Sequence, residues 1–432
     1  MEKNQISYKK AIQCFFGLQK YGVKFGLSKT SKLLKAFGNP HRGRKYIHIG
    51  GSNGKGSVAA MVESILIKSG LKVGFYSSPH LVRFTERFRI NGREITPENT
   101  AAIASELMEA INPKQPPTFF EVTTAMALLY FAWEKTDISI MEVGMGGRLD
   151  ATNVIRPMVS VITNISIEHQ FFLGSRLLDI AGEKAGIIKR GVDLVTGVTQ
   201  PSIIRLLEKI TKEKKASIWR VGKQVNFRSD GLKFNYYGLK RRFNRLELGL
   251  KGRVQNRNAA LALALIEILE KKGFKISADN MIDGVKDTRW PGRMHIISQE
   301  PLIILDGAHN PAAIRELAHS VEGDFTYRRL ILVIGVMDDK DIGRMIKGIV
   351  PRADYVIYTR PDYYRSARPE KLMREALSSG KPCKIEPVIS RALEWARKIA
   401  EPADMILVCG SLFTVGEAMS HFDPEKYSRD GV

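Results

Sequence analysis

The chain has 432 residues, 44% hydrophobic and 26% charged, which is enough apolar material for more than one core and excludes disordered, collagenous and coiled-coil chains. At about 150 residues per domain, the length predicts two to three domains. Lysine and arginine outnumber aspartate and glutamate by 67 to 45, a net charge of +22, which points to polyanionic partners: nucleic acid, an anionic membrane, or small substrates carrying several phosphates or carboxylates.

At the N-terminus, Lys9, Lys10, Lys20 and Lys24 scatter around the short apolar patch Ala11–Leu18 with no small-residue cleavage pattern behind it, so no export signal is expected. Cys14, Cys383 and Cys409 lie far apart without a C-x-x-C pair. That spacing fits a reducing compartment, the cytoplasm, and neither a disulfide framework nor a zinc site. The longest apolar helix-like stretch, Ala259–Leu269, contains Glu267 and falls short of the roughly 20 residues that span a bilayer.

Strand-like apolar runs alternate with helical patterns along the chain, the signature of a parallel α/β architecture. Tyr46–Ile49 reads as a strand that enters the glycine-rich loop Gly50–Ser57, followed by a helix over Val58–Lys68 and a strand over Val73–Tyr76. Such a loop presents backbone N–H groups to phosphate oxygens at a helix N-terminus, with a lysine to reach the outer phosphates and a hydroxyl to ligate Mg²⁺. The general G-x-x-x-x-G-K-[ST] pattern is not met: Ile49 replaces its first glycine, and Gly56 separates Lys55 from Ser57.

Thr118–Glu121 reads as a capping box that opens the apolar helix Val122–Trp133. Strand Ile138–Met141 ends at Glu142, ahead of the glycine-rich stretch to Asn153. A carboxylate there either holds a metal where α/β sheets bind ligands or merely ends a strand. Strands Val159–Ile162 and Leu194–Thr196 continue the series. Between them, His169 and Lys184 taken alone read as structural, the lysine explained by a helix C-terminus. Much of the basic excess falls in Lys209–Arg257, without an aromatic stacking motif of the RNA-binding kind.

Around Trp290–Arg293 this unit stops, and a boundary is placed near residue 296. A second series runs through Leu302–Leu305, Leu330–Ile334, Tyr355–Tyr358 and Met405–Val408. Its first strand ends at Asp306–Pro311, where Asp306 and His309 either contact a ligand or build a turn before a helix.

Together these segments resemble the folylpolyglutamate synthase and dihydrofolate synthase family of the Mur ligase superfamily, over nearly the whole chain. Ten ordered blocks carry the resemblance: Gly38–Pro40, Gly51–Ser57, Ser78–Leu81, Thr118–Thr124, Glu142–Asn153, Glu183–Ile187, Arg289–Arg293, Asp306–Pro311, Gly335–Asp341 and Gly410–Glu417. In that family the added glycine at Gly56 is the usual form of the loop. The resemblance implies an α/β fold with a P-loop-type N-terminal ATPase domain on a parallel sheet, residues 1–295, binding ATP and pterin. A smaller Rossmann-like C-terminal glutamate ligase domain, residues 296–432, would follow. The implied activity is ATP-dependent ligation of L-glutamate to dihydropteroate, to (tetrahydro)folate polyglutamates, or to both, through an acyl phosphate.

By the same resemblance, Gly51, Ser52, Asn53, Gly54, Lys55, Gly56 and Ser57 would hold the phosphates, with Asn258, Arg293 and Asp306 contacting adenine, phosphate and ribose. Ser57 and Glu142 would ligate a first Mg²⁺ and His169 a second, with Lys184 carbamylated beside it. Thr118, Phe119, Phe120, Glu121, Leu149, Asp150 and Ala151 match a pterin pocket, and His309 lies near where glutamate docks. The implied protein is a cytoplasmic monomer with no nucleic-acid or membrane partner, catalysing through Lys55, Lys184, His169 and His309. The rivals are another Mur-type amino-acid ligase and a basic nucleic-acid-binding P-loop protein.

Overall fold

The computed structural model describes residues 6–22, 24–230 and 233–430. Its main sheet has eight strands: β1 (Tyr46–Gly50), β2 (Val73–Tyr76), β3 (Phe88–Ile90), β4 (Arg93–Glu94), β5 (Ile138–Glu142), β6 (Val159–Ile162), β7 (Asp193–Thr196) and β8 (Ile218–Arg220). They run in the order β4-β3-β2-β5-β1-β6-β7-β8. All pairings are parallel except those of the β2-β3-β4 edge. The central strands are buried along their whole length, as sheets covered by helices on both faces require.

A three-stranded antiparallel sheet follows, β9 (Asn226–Asp230), β10 (Lys233–Tyr237) and β11 (Arg242–Leu246). Phe234, Tyr236, Phe243 and Leu246 turn inward to join the core beneath the first sheet, while the intervening Arg242, Asn244 and Arg245 stay exposed. The third sheet is β12 (His295–Gln299), β13 (Leu302–Leu305), β14 (Leu330–Ile334), β15 (Tyr355–Tyr358), β16 (Cys383–Ile385) and β17 (Met405–Cys409), in the order β12-β13-β17-β14-β15-β16. Only β12 is antiparallel to its neighbour. Among the described residues no helix is long and apolar enough to cross a membrane.

Register decides where chemistry can gather. Ile49 of β1 lies opposite Glu142 of β5, and Gly50 opposite Ile162 of β6. Three loops therefore leave the sheet at one level, at the carboxyl ends of parallel strands, where open α/β sheets bind ligands.

Candidate active site

Leaving β1, the chain forms the loop that ends at Gly54, whose left-handed backbone (φ 82°) caps the helix Lys55–Lys68. Close packing accounts for its glycines. A Cβ on Gly51, at φ +134°, would stand 1.9 Å from Thr163 Oγ1, and one on Gly54 would stand 2.6 Å from Asn258 Oδ1. Lys55 Nζ folds back to donate to the carbonyls of Gly51 (3.1 Å) and Ser52 (3.2 Å). The first-turn N–H groups and the lysine thus face one concavity that fits an anion.

The added glycine has its own steric reason. A Cβ on Gly56 would fall 2.7 Å from Trp290 Nε1, and that indole cannot retreat because it stacks on Phe75 at 5.4 Å. Arg89 lies 4.7 Å from both rings and is itself tied to Glu63 at 2.6 Å. Gly56→Ala is therefore expected to cost about 1–3 kcal/mol through overpacking, read as a lowered denaturation midpoint together with weaker nucleotide binding.

Around this loop a cavity of about 810 Å³ opens between the first and third sheets. Ser52 to Ser57 line it, while Gly51 stays behind in the loop wall. Glu142 reaches it from the end of β5, buried, its Oε2 accepting the Ser78 N–H at 3.3 Å. Burial raises its carboxyl above the ordinary range, and the Lys55 ammonium opposes that shift. His169 stands at φ 47°, a left-handed conformation that costs a non-glycine residue about 1 kcal/mol or more and is kept where surroundings demand it. Burial takes its imidazole down to about 4, so it presents a neutral ring to the cavity.

Lys184 is no solvated helix-end cation. It is buried, donates to Gly51 O at 3.0 Å, and forms an ion pair with Glu168 at 2.7 Å. Burial works against ionisation of Glu168, but the Lys184 and Lys55 ammoniums outweigh it and bring this carboxyl down to about 2. Glu168 escaped the sequence reading, and its position immediately before His169 was the available signal.

At the far end, Thr118 and Glu121 form the capping box, Thr118 Oγ1 accepting from Glu121 N at 3.3 Å and Glu121 Oε2 from Thr118 N at 2.7 Å. They also line the cavity with Phe119 and Phe120. Leu149, Asp150 and Ala151 close the same end. Asp150 accepts the Gly144, Met145 and Thr152 N–H groups, fixing the backbone that follows β5. Phe25 and Gly26 line this end as well, whereas Ser28 and Phe37–Pro40 do not.

The third sheet supplies the opposite wall with Arg293, Asp306 and His309, and Asn258 lies beside the phosphate loop. Asp306 accepts the N–H groups of Met294 and Ala308, both at 2.9 Å. His309 Nδ1 meets Gly307 O at 2.8 Å, which assigns its proton to Nδ1 and leaves Nε2 as an acceptor. Burial lowers this imidazole to about 4. Asn53 and Asn310 exchange side-chain amide hydrogen bonds of 3.3 and 2.8 Å across the cleft, a link that the sequence reading missed.

Among the described residues no three His, Cys, Asp or Glu side chains converge as a ready metal cage. The Ser57 hydroxyl and the Glu142 carboxylate are oxygen donors that suit Mg²⁺ bound together with nucleotide, since that ion takes few protein ligands and completes its shell with phosphate oxygens and water; the neutral His169 imidazole lines the same cavity.

A phosphate-binding loop facing a second α/β unit across a shared cavity defines an ATP-dependent ligase of the Mur type. Two families match: the Mur ligase middle domain over residues 49–266 and the Mur ligase glutamate ligase domain over residues 292–412. The chain is 32% identical to a dihydrofolate synthase/folylpolyglutamate synthase of Bacillus subtilis, over 95% of this chain and 98% of that protein. It is 36% identical to a probable bifunctional folylpolyglutamate synthase/dihydropteroate synthase of Haloferax volcanii, covering 96% of this chain but spanning only 50% of that longer protein. Among solved structures it is similar to E. coli FolC in complex with DHPP and ADP, at TM-score 0.90 and 31% identity, covering 99% and 100% of the two chains. A Yersinia pestis bifunctional folylpolyglutamate synthase/dihydrofolate synthase with Mn, AMPPNP and L-glutamate bound aligns at TM-score 0.85 and 30% identity, covering 96% and 99%. The chain belongs to the dihydrofolate synthase/folylpolyglutamate synthase family.

Proposed function

We propose that the protein joins L-glutamate to dihydropteroate and to reduced folates at the expense of ATP. One observation carries this reading: the phosphate loop, Glu142, His169 and Lys184 share a single cavity with an aromatic pocket at one end and Asp306 and His309 opposite. The E. coli relative's complex with DHPP and ADP and the Yersinia relative's complex with L-glutamate support the substrate classes.

In this reading residues 1–295 hold ATP and the pterin acid, and residues 296–432 bring in glutamate. Lys55 and the loop amides fix the outer phosphates; Phe119 and Phe120 flank the pterin rings, with Thr118, Glu121 and Leu149–Ala151 framing the pocket. Asn258, Arg293 and Asp306 take the adenine, phosphate and ribose. Ser57 and Glu142 would hold a first Mg²⁺ and His169 a second, which when bound neutralise charge on the transferring phosphoryl group. A carboxylate is a poor electrophile, so the chain must hold it in line with the γ-phosphate and then present the acyl phosphate to an amine. His309 Nε2, unprotonated at neutral pH, is the acceptor available to the glutamate ammonium.

Carbamylation of Lys184 fits a metal-loaded state. A carbamate there would set a second anion beside Glu168, whose negative charge a divalent cation held in the cavity would offset. The three cysteines are unpaired, which suits a reducing cytoplasm. We further propose that the protein acts as a monomer without a nucleic-acid partner.

Phe25 and Gly26 beside Thr118–Glu121 extend the aromatic end far enough to favour dihydropteroate as well as folates. Labelled glutamate is therefore expected to enter both. Protein that extends tetrahydrofolate but incorporates no label into saturating dihydropteroate would restrict the activity to chain extension.

A further inference from the structure

Residues 288–294 join the helix Ala278–Asp287 of the first α/β unit to β12 of the second. Near the start of this connector Trp290 turns back onto the first unit, stacking on Phe75 of β2 at 5.4 Å with the Arg89 guanidinium of β3 4.7 Å from its ring centroid. Arg89 is held in turn by Glu63 at 2.6 Å, a buried carboxylate on the helix Lys55–Lys68 that follows the phosphate loop. A stacked ring and a tethered cation together fix the indole. Its edge then meets the loop: Nε1, Cε2 and Cζ2 all come within 3.0 Å of where a Gly56 Cβ would stand.

Two residues further on, the chain is tied to the other unit. The Gly292 carbonyl accepts the Gly307 N–H at 2.9 Å, and a Cβ on Gly292, at φ 74°, would stand 3.2 Å from Val415. Met294 N donates to Asp306 Oδ2 at 2.9 Å. Arg293, between these two ties, lines the cavity. Only Pro291 separates the Trp290 anchor from the Gly292 anchor, and its ring removes the freedom of one backbone torsion. A stiff link of one residue therefore joins the phosphate loop to the place where Arg293 leaves the backbone.

Filling a core does not require this arrangement. Trp290 stays partly exposed, and its edge lies against the one residue between Lys55 and Ser57. We propose that Trp290 is a positioning residue that registers Arg293 against the phosphate loop, so that the guanidinium of one unit and the Lys55 ammonium of the other meet the same phosphate chain. The proposal rests on the nucleotide role given to Arg293 above. A side chain carried across a boundary between two units needs such a gauge, because a displacement of about 1 Å forfeits an aligned contact.

Titration of the full-length protein with AMPPNP and Mg²⁺ tests this without turnover. Arg293→Met should weaken binding about 10- to 100-fold, the range for losing a charge-assisted contact, and Trp290→Phe about tenfold. The phenylalanine keeps a ring against Phe75 but withdraws the edge from Gly56. The double variant should bind no more weakly than Arg293→Met, since nothing is then left to register. Losses that multiply in the double variant mark Trp290 as ordinary packing and overturn the proposal alone, as does wild-type affinity in Trp290→Phe. Pro291→Gly leaves both anchors in place and loosens only the link between them; it should weaken binding in the wild-type background and not in Arg293→Met. That variant decides the matter if circular dichroism finds Trp290→Phe unfolded, and wild-type affinity or a multiplying loss in it overturns the stiff link. Wild-type affinity in Arg293→Met removes Arg293 from the nucleotide site, and with it both the earlier assignment and the proposal.

Discussion

Glu142→Gln should lower turnover by about two to three orders of magnitude while changing nucleotide affinity less than about tenfold, because charge stabilisation at the phosphoryl group matters most in the transition state. The glutamine keeps the shape of the side chain and an oxygen for the Ser78 N–H, so the fold at the end of β5 is preserved and only the charge is lost. His169→Ala should act in the same direction, since its neutral ring is the second cavity-facing donor suited to a divalent ion. Steady-state kinetics beside nucleotide titration separates the two quantities. A variant with near wild-type turnover removes its residue from the metal site.

Lys184→Met should abolish most activity and also destabilise the protein, by about 3–5 kcal/mol, because it strands the Glu168 carboxylate in a buried setting. The two losses are separable. Lys184→Met combined with Glu168→Gln removes the stranded charge and should recover most of the denaturation midpoint, while turnover stays low. If the double variant also regains turnover, Lys184 serves only to neutralise Glu168, and its role in catalysis, carbamylated or not, is refuted.

The residues most legible in the sequence have roles set by their nearest neighbours. The loop Gly51–Ser57 declares itself because phosphate binding needs glycine, lysine and a hydroxyl within a few positions, and the buried strands announce themselves as unbroken apolar runs. Each strand read this way lies within a residue of its observed bounds, as Tyr46–Gly50 and Met405–Cys409 illustrate. Strands β9 to β11 were hidden because half-exposed antiparallel strands alternate charge with apolar residues, so Arg242–Leu246 resembles a solvated basic stretch. Lys184 looked ordinary for another reason: its partners, Gly51 and Glu168, are distant in sequence and meet it only when the sheet brings their loops together.

The most direct measurement of the central claim is phosphate release from ATP in the presence of Mg²⁺ with dihydropteroate or tetrahydrofolate, each with and without L-glutamate. The account predicts sustained release only when acid and glutamate are both present, with one phosphate per amide formed. Release that is indifferent to the pterin acid and to glutamate, or that responds instead to oligonucleotides, would contradict it.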